Sequence, residues 1–172
     1  MRHVNSLKPQ DVAVLVKLLC HSNKEWRQVD LGQELLLPQG EIAKALRRLN
    51  MARLVIGKKV VHRFAREFLL HGVPFVFPAE PGSIAYGVPT AISAPMHQRV
   101  VLAGGGVEHT YVWPSLSDKM KGQSIEPLYP YLPDAALKDE RFYGIMSALD
   151  MLRTGRTRER AAGQRYIEEI LK

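Results

Sequence analysis

The sequence predicts an α+β fold in three parts: a helical segment over residues 1–71, a small Pro/Gly-rich antiparallel β region over 72–133, and a C-terminal helical pair over 134–172. Three observations carry this. Apolar residues recur at helical spacing on both sides of Leu37-Pro38-Gln39-Gly40. Most of the prolines and glycines, interleaved with aromatic and β-branched residues, fall between 72 and 133. Beyond them, Phe142, Ile145, Met146, Leu149 and Leu152 trace one helical stripe.

The chain of 172 residues is long enough for one domain, or two small ones, with a real hydrophobic core. No apolar run approaches the ~18 residues of a transmembrane helix. The start, MRHVNSLKPQD, lacks the apolar centre of a signal peptide. Cys20 is the only cysteine, so an internal disulfide is excluded and a reducing cytoplasm is the expected location, with no membrane partner. The net charge of +7 is unevenly placed. Residues 1–71 hold 13 Lys/Arg against 6 Asp/Glu, residues 72–133 hold 3 against 4, and residues 134–172 hold 8 against 7. The excess sits on the N-terminal part, as a phosphate-binding surface requires.

A first helix opens at Lys8-Pro9-Gln10-Asp11. Proline is tolerated in the first turn and Asp11 suits the positive end of the dipole. Val12, Leu15, Val16 and Leu19 form its inward stripe. His21-Ser22-Asn23-Lys24 breaks it, and Trp26 is expected to pack under it as core. A second helix over Val29 to Leu36 turns Leu31 and Leu35 inward. Its Asp30 and Glu34 read as a solvated face, since no partner acid accompanies them.

Pro38 stops that helix and can begin the next. Ile42, Ala45, Leu46 and Leu49 make the buried stripe of a third helix, leaving Gln39, Glu41, Lys44, Arg47 and Arg48 on the other face. A short helix, a tight turn and a second helix crowded with long polar side chains is the helix-turn-helix pattern, whose second helix enters the DNA major groove. Gln39, Gly40, Ala43 and Lys44 stand where base edges are read. Arg47 and Arg48 lie further along, at phosphate reach. Gly40 lets the backbone come close but weakens the helix by about 1 kcal/mol relative to Ala. Val55-Ile56-Gly57-Lys58-Lys59-Val60 follows as a hairpin wing carrying Lys58 and Lys59.

Over residues 8–65 the chain resembles the winged helix-turn-helix of bacterial MarR-like transcriptional regulators, through Glu41, Ile42, Ala45, Leu46, Arg48, Leu49 and Leu54-Val55. Pro38 stands where such proteins usually place a Ser or Thr cap. The resemblance implies a DNA-binding regulator that pairs through terminal helices. Arg63 to Gly72 then reads as a helix ended by glycine, with Phe64, Phe68 and Leu69 inward and Arg63 and Arg66 near the DNA backbone.

In the middle region a weak repeat aligns Val76-Phe77-Pro78, Gly87 and Pro89 with Val112-Trp113-Pro114, Gly122 and Pro127, suggesting two β-hairpins. Chance explains so short a repeat equally well. Phe75, Phe77, Tyr86, Tyr111, Trp113, Tyr129 and Tyr131 are expected mainly in the core of a small sheet, some at a partner surface. Ala103-Gly104-Gly105-Gly106-Val107 lacks the Lys-Ser/Thr of a phosphate loop and reads as a strand connection. His3, His21, His62, His71, His97 and His109 show no paired ligand spacing, so neither metal nor cofactor is expected. Ser93, Ser115, Asp118 and Glu126 have no catalytic context, so no catalytic residues and no enzyme activity are expected.

At the C-terminus, Gly155 marks a bend, and Ala161, Tyr166, Ile167 and Ile170 continue a second helix. Arg153, Arg156 and Arg160 fall at i, i+3 and i+7. They read either as a second basic contact with nucleic acid or an acidic partner, or as an ion-pair lattice with Asp150 and Glu159. The helices of this part are the expected dimerisation or partner contact.

The functional expectation is a sequence-specific transcriptional regulator of double-stranded DNA, a repressor or autoregulator, acting as a homodimer. The alternative is an antitoxin or adaptor that binds a protein from an adjacent gene through the aromatic β region and C-terminal helices. An RNA-binding accessory factor ranks below both.

Overall fold

The computed structural model describes residues 6–21, 24–100 and 107–172. The fold is α+β. Helix α1 (Pro9–Cys20) starts at its proline, and the Asp11 carboxylate accepts the Lys8 N–H at 2.8 Å. Its whole length from Asp11 to Leu19 is buried, not only the expected stripe. A helix apolar all round must be covered on all sides, and α1 packs against the helix over Gln39–Met51 on one flank and the helix over Glu140–Thr154 on another.

Helix α2 (Gln28–Leu35) ends at Leu36 in the left-handed region, and α3 (Gln39–Met51) follows within three residues. Ile42, Ala45, Leu46 and Leu49 of α3 are buried, as their spacing predicts. After α3, Arg53 adopts φ 60° while Leu54 N–H donates to Leu49 O and Arg53 N–H to Asn50 O, closing the helix end. Strands β1 (Val55–Ile56) and β2 (Lys59–Val60) pair antiparallel around Gly57-Lys58, with Gly57 at φ 62°. That turn requires positive φ, which glycine adopts without strain.

Gly72 does not stop the next helix. Helix α4 (His62–Glu67) runs through a π-helical turn at Phe68–Gly72 into α5 (Val73–Val76). The expected boundary at residue 71 therefore falls inside a continuous helical run. A Cβ at Gly72 would collide with the Phe68 ring, so this glycine serves packing within the helix instead. Ala65 and Leu69 face the core, Phe68 is half-buried, and Phe64 is exposed, against expectation.

Strands β3 (Ile84–Pro89), β4 (Tyr111–Pro114) and β5 (Met120–Ser124) close into a small barrel. β3 is antiparallel to both neighbours, but β4 and β5 run parallel, so the expected all-antiparallel pair of hairpins is not formed. The first repeat copy fails outright: Val76 ends α5, whereas Val112-Trp113-Pro114 lies in β4. Gly87 is needed where β3 crosses β4, since a Cβ there would overlap the Trp113 carbonyl. Short 3-10 turns occupy Ala91–Ser93, Pro95–Val100 and Val107–His109. The glycine-rich stretch 103–106, together with His3, Ser22 and Asn23, lies outside the described residues.

Helix α6 (Leu132–Ala136) leads into α7 (Glu140–Thr154), capped by Asp139, whose side chain accepts the Phe142 N–H. Every residue of α7 from Phe142 to Leu152 is buried. α7 is the central helix, packed on α1, α5 and α8. Helix α8 (Thr157–Ile170) lies on it closely, because α7 carries Gly144 beneath the Tyr166 ring. One hydrophobic core, from Val12 in α1 through Trp113 in β4 to Ile167 in α8, joins all three sequence parts.

The barrel is pinned to α7 by a polar knot. The Asp150 carboxylate, 1% exposed, accepts Thr90 Oγ1 at 2.7 Å, Trp113 Nε1 at 2.6 Å and an Arg153 guanidinium nitrogen at 2.6 Å. Tyr143 Oη donates to Pro89 O beside it. Buried polar groups satisfied in this way specify one packing between sheet and helix.

Candidate nucleic-acid interface

The outer face of α3, the β1–β2 turn and the start of α2 border one open cleft of about 630 Å³. Gln39, Ala43 and Arg47 come from α3, Gly57 and Lys58 from the turn, and Trp26, Arg27 and Gln28 from the approach to α2. Amphipathicity builds this surface. Ile42, Ala45, Leu46 and Leu49 bury one side of α3, which leaves Gln39, Gly40, Lys44 and Arg47 exposed on the other.

The turn is fastened to the helix by Asn50. Its Nδ2 donates to Leu46 O at 2.9 Å, and its Oδ1 accepts the Gly57 N–H at 2.9 Å. Lys58 Nζ sits 5.6 Å above the centroid of the Trp26 ring. Trp26, expected as core, is half-buried: it packs partly on the core and partly lines the cleft. The Arg27 guanidinium makes two hydrogen bonds to Asp30, at 2.9 and 3.1 Å, and its backbone N–H a third at 3.0 Å. The hydrogen bond from Arg27 overcomes burial and holds the Asp30 carboxyl below its ordinary pKa. Lys44 pairs with Glu41 at 2.9 Å, and this bond likewise depresses the Glu41 pKa.

Among the residues expected at the site, the structure brings Gln39, Ala43, Arg47 and Lys58 to one cleft. Gly40, Glu41 and Lys44 lie on α3 outside its lining, and Lys59 is exposed on β2. Gly40 has nothing within 4 Å of where a Cβ would stand, so the fold itself does not require glycine there. Arg48 is a correction. Its side chain turns inward and binds Asp11 at 2.6 and 2.7 Å, so it is not on the outward face. The periodicity of α3 leaves Arg48 at the edge of the apolar stripe, where a buried carboxylate from α1 captures it.

The second basic cluster is also corrected. The Arg153 side chain is only 5% exposed and donates through Nε to Phe77 O at 2.7 Å and to Asp150, so the ion-pair reading holds for it and the surface-contact reading fails. Arg156 and Arg160 are exposed but belong to the start of α8. The extended backbone at Gly155 separates them from α7, so the three arginines share no helical face. Sequence reasoning missed Arg27, Gln28 and Asn50. Arg27-Gln28 at a helix start was a readable signal; the role of Asn50 was not, because it depends on where the hairpin folds back.

Among the described residues, no group of three or more His, Cys, Asp and Glu is placed to hold a metal ion, and no helix is long and apolar enough to cross a membrane. No known protein family, characterised protein or solved structure matches the chain.

Proposed function

We propose that the chain is a sequence-specific DNA-binding regulator, in which α1 to β2 act as a winged helix-turn-helix. In this reading α3 lies in the major groove and the β1–β2 hairpin is the wing. The single observation that carries it is the shared cleft, where the outward side chains of α3, the hairpin lysine and the start of α2 border one concave basic surface. Gln39 and Lys44 are suited to adenine and guanine edges. Arg27, Arg47 and Lys58 are suited to phosphates. The concentration of positive charge in residues 1–71 supports the same reading. As a homodimer the protein would engage two half-sites about one helical turn apart.

Fluorescence anisotropy on duplexes selected from a random pool tests this. Binding should weaken steeply with salt, and R47E or K58E should flatten the log–log salt slope by about 0.9 for each phosphate no longer neutralised. Equal binding by wild type and by the K44E and R47E variants would refute the assignment of α3.

A second reading, an adaptor that captures a partner protein, is favoured by exposed aromatics: Phe75 is 73% and Tyr86 59% exposed. It predicts a complex with the product of an adjacent gene that survives K44E and R47E and is abolished by F75D or Y86D.

A further inference from the structure

On a different side of α2 lies a second open cavity of about 630 Å³, between the end of α1, the outer face of α2 and the turn entering α7. Its inner wall is a chain of ion pairs and hydrogen bonds. Lys17 Nζ, nearly buried, is 2.6 Å from Asp139 and 3.2 Å from Glu34, and His21 Nε2 is 2.7 Å from the same Glu34 oxygen. Burial works against the Asp139 charge, but Lys17 and the Phe142 N–H outweigh it and hold its pKa below the usual value. Both carboxylates of the cavity are therefore engaged by the wall itself.

The rim is different. Lys24, Lys138 and Arg141 are exposed at the mouth, and among the described residues none of them has a carboxylate within ion-pair distance. Among the described residues the Arg141 guanidinium makes one hydrogen bond, to Ile170 O at 3.2 Å, and no ion pair. Counting Lys, Arg, Asp and Glu alone, Lys17, Lys24, Lys138 and Arg141 face Glu34 and Asp139, an excess of two positive charges. A volume of this size is in the range that takes small molecules, ~300–1,000 Å³.

We propose that this cavity binds a small doubly charged oxyanion, a phosphate ester or a dicarboxylate, held by Lys138 and Arg141 at the rim with Lys17 behind. Arg supplies the planar fork that matches either group, and Lys a point charge. Gln33 and Glu34 line this cavity while Arg27 to Val29 line the cleft beside α3, so α2 borders both. Ligand binding here does not depend on what the other cleft recognises.

The test is isothermal titration and thermal denaturation of the full chain with inorganic phosphate and, separately, with succinate. Sodium chloride at matched ionic strength is the control. The expected result is saturable binding and a rise in Tm with at least one of the two dianions. Phosphate alone points to a phosphate ester, succinate alone to a dicarboxylate. K138A and R141A remove exposed side chains, so the fold should persist, and each should weaken binding about tenfold. K138E should abolish it. The proposal is overturned if neither dianion exceeds the chloride control, or if binding is unchanged in the K138A/R141A double variant.

Discussion

Arg48 of α3 and Asp11 of α1 form a bidentate pair, 2.6 and 2.7 Å, on side chains 10% and 1% exposed. The pair fixes the rotation of α3 about its own axis against α1. It lies on the same side as the buried stripe of Ile42, Ala45, Leu46 and Leu49, which leaves Gln39, Lys44 and Arg47 outward. Removing one partner leaves a buried charge without compensation, which costs about 3–5 kcal/mol. R48A and D11A should each lower stability by that order in urea denaturation. The D11L/R48M double variant should recover much of the loss, because an apolar pair of similar volume needs no such compensation. Additive losses in the double variant would show that the two side chains act separately.

Gly40 separates structure from function. Its Cβ position is open, and α3 gains from alanine in the first turn. G40A should raise stability by about 0.5–1 kcal/mol. If the α3 backbone approaches DNA here, the same substitution weakens duplex binding. A variant that is more stable and binds duplex as well as wild type would remove Gly40 from the interface.

Arg53 holds φ 60° at the end of α3, is exposed and makes no side-chain hydrogen bond or ion pair among the described residues. A left-handed conformation costs a residue with a Cβ about 1–2 kcal/mol, part of which glycine regains at a helix end. R53G should raise Tm by a few degrees while leaving the hairpin intact. A fall in Tm would mean that Arg53 makes a stabilising contact in solution.

His97 is buried, its Nε2–H shared between Gly144 O at 3.1 Å and Ser147 Oγ at 3.0 Å, with the Tyr166 ring edge-on. Burial pushes its pKa below the ordinary 6.5, and the hydrogen bond to Gly144 only partly restores it. The folded state thus favours the neutral ring. Its contribution is full above the unfolded value of 6.5 and is lost as pH falls from there toward the folded pKa. Tm should decline between pH 7 and 5, and H97Q, which cannot titrate, should show a shallower decline. Parallel curves would assign the pH dependence to other groups.

Helical spacing alone located α1, α2, α3, α7 and α8, and the Gly57-Lys58 turn announced the hairpin. These features depend on local periodicity and on backbone geometry that few residues tolerate. The outward placement of Gln39, Lys44 and Arg47 was legible for the same reason, since Ile42, Ala45, Leu46 and Leu49 leave them no other side. Arg48 and Arg153 were misread because a charged side chain at the edge of a stripe goes wherever its partner is. Those partners, Asp11 and the Asp150 knot with the Phe77 carbonyl, come from elements that meet only in the folded chain. The parallel pairing of β4 with β5 and the all-round burial of α7 were likewise decided by tertiary contact. Alternation and apolar content show that a segment will be covered, but which neighbour covers it is set by non-local packing of the whole chain.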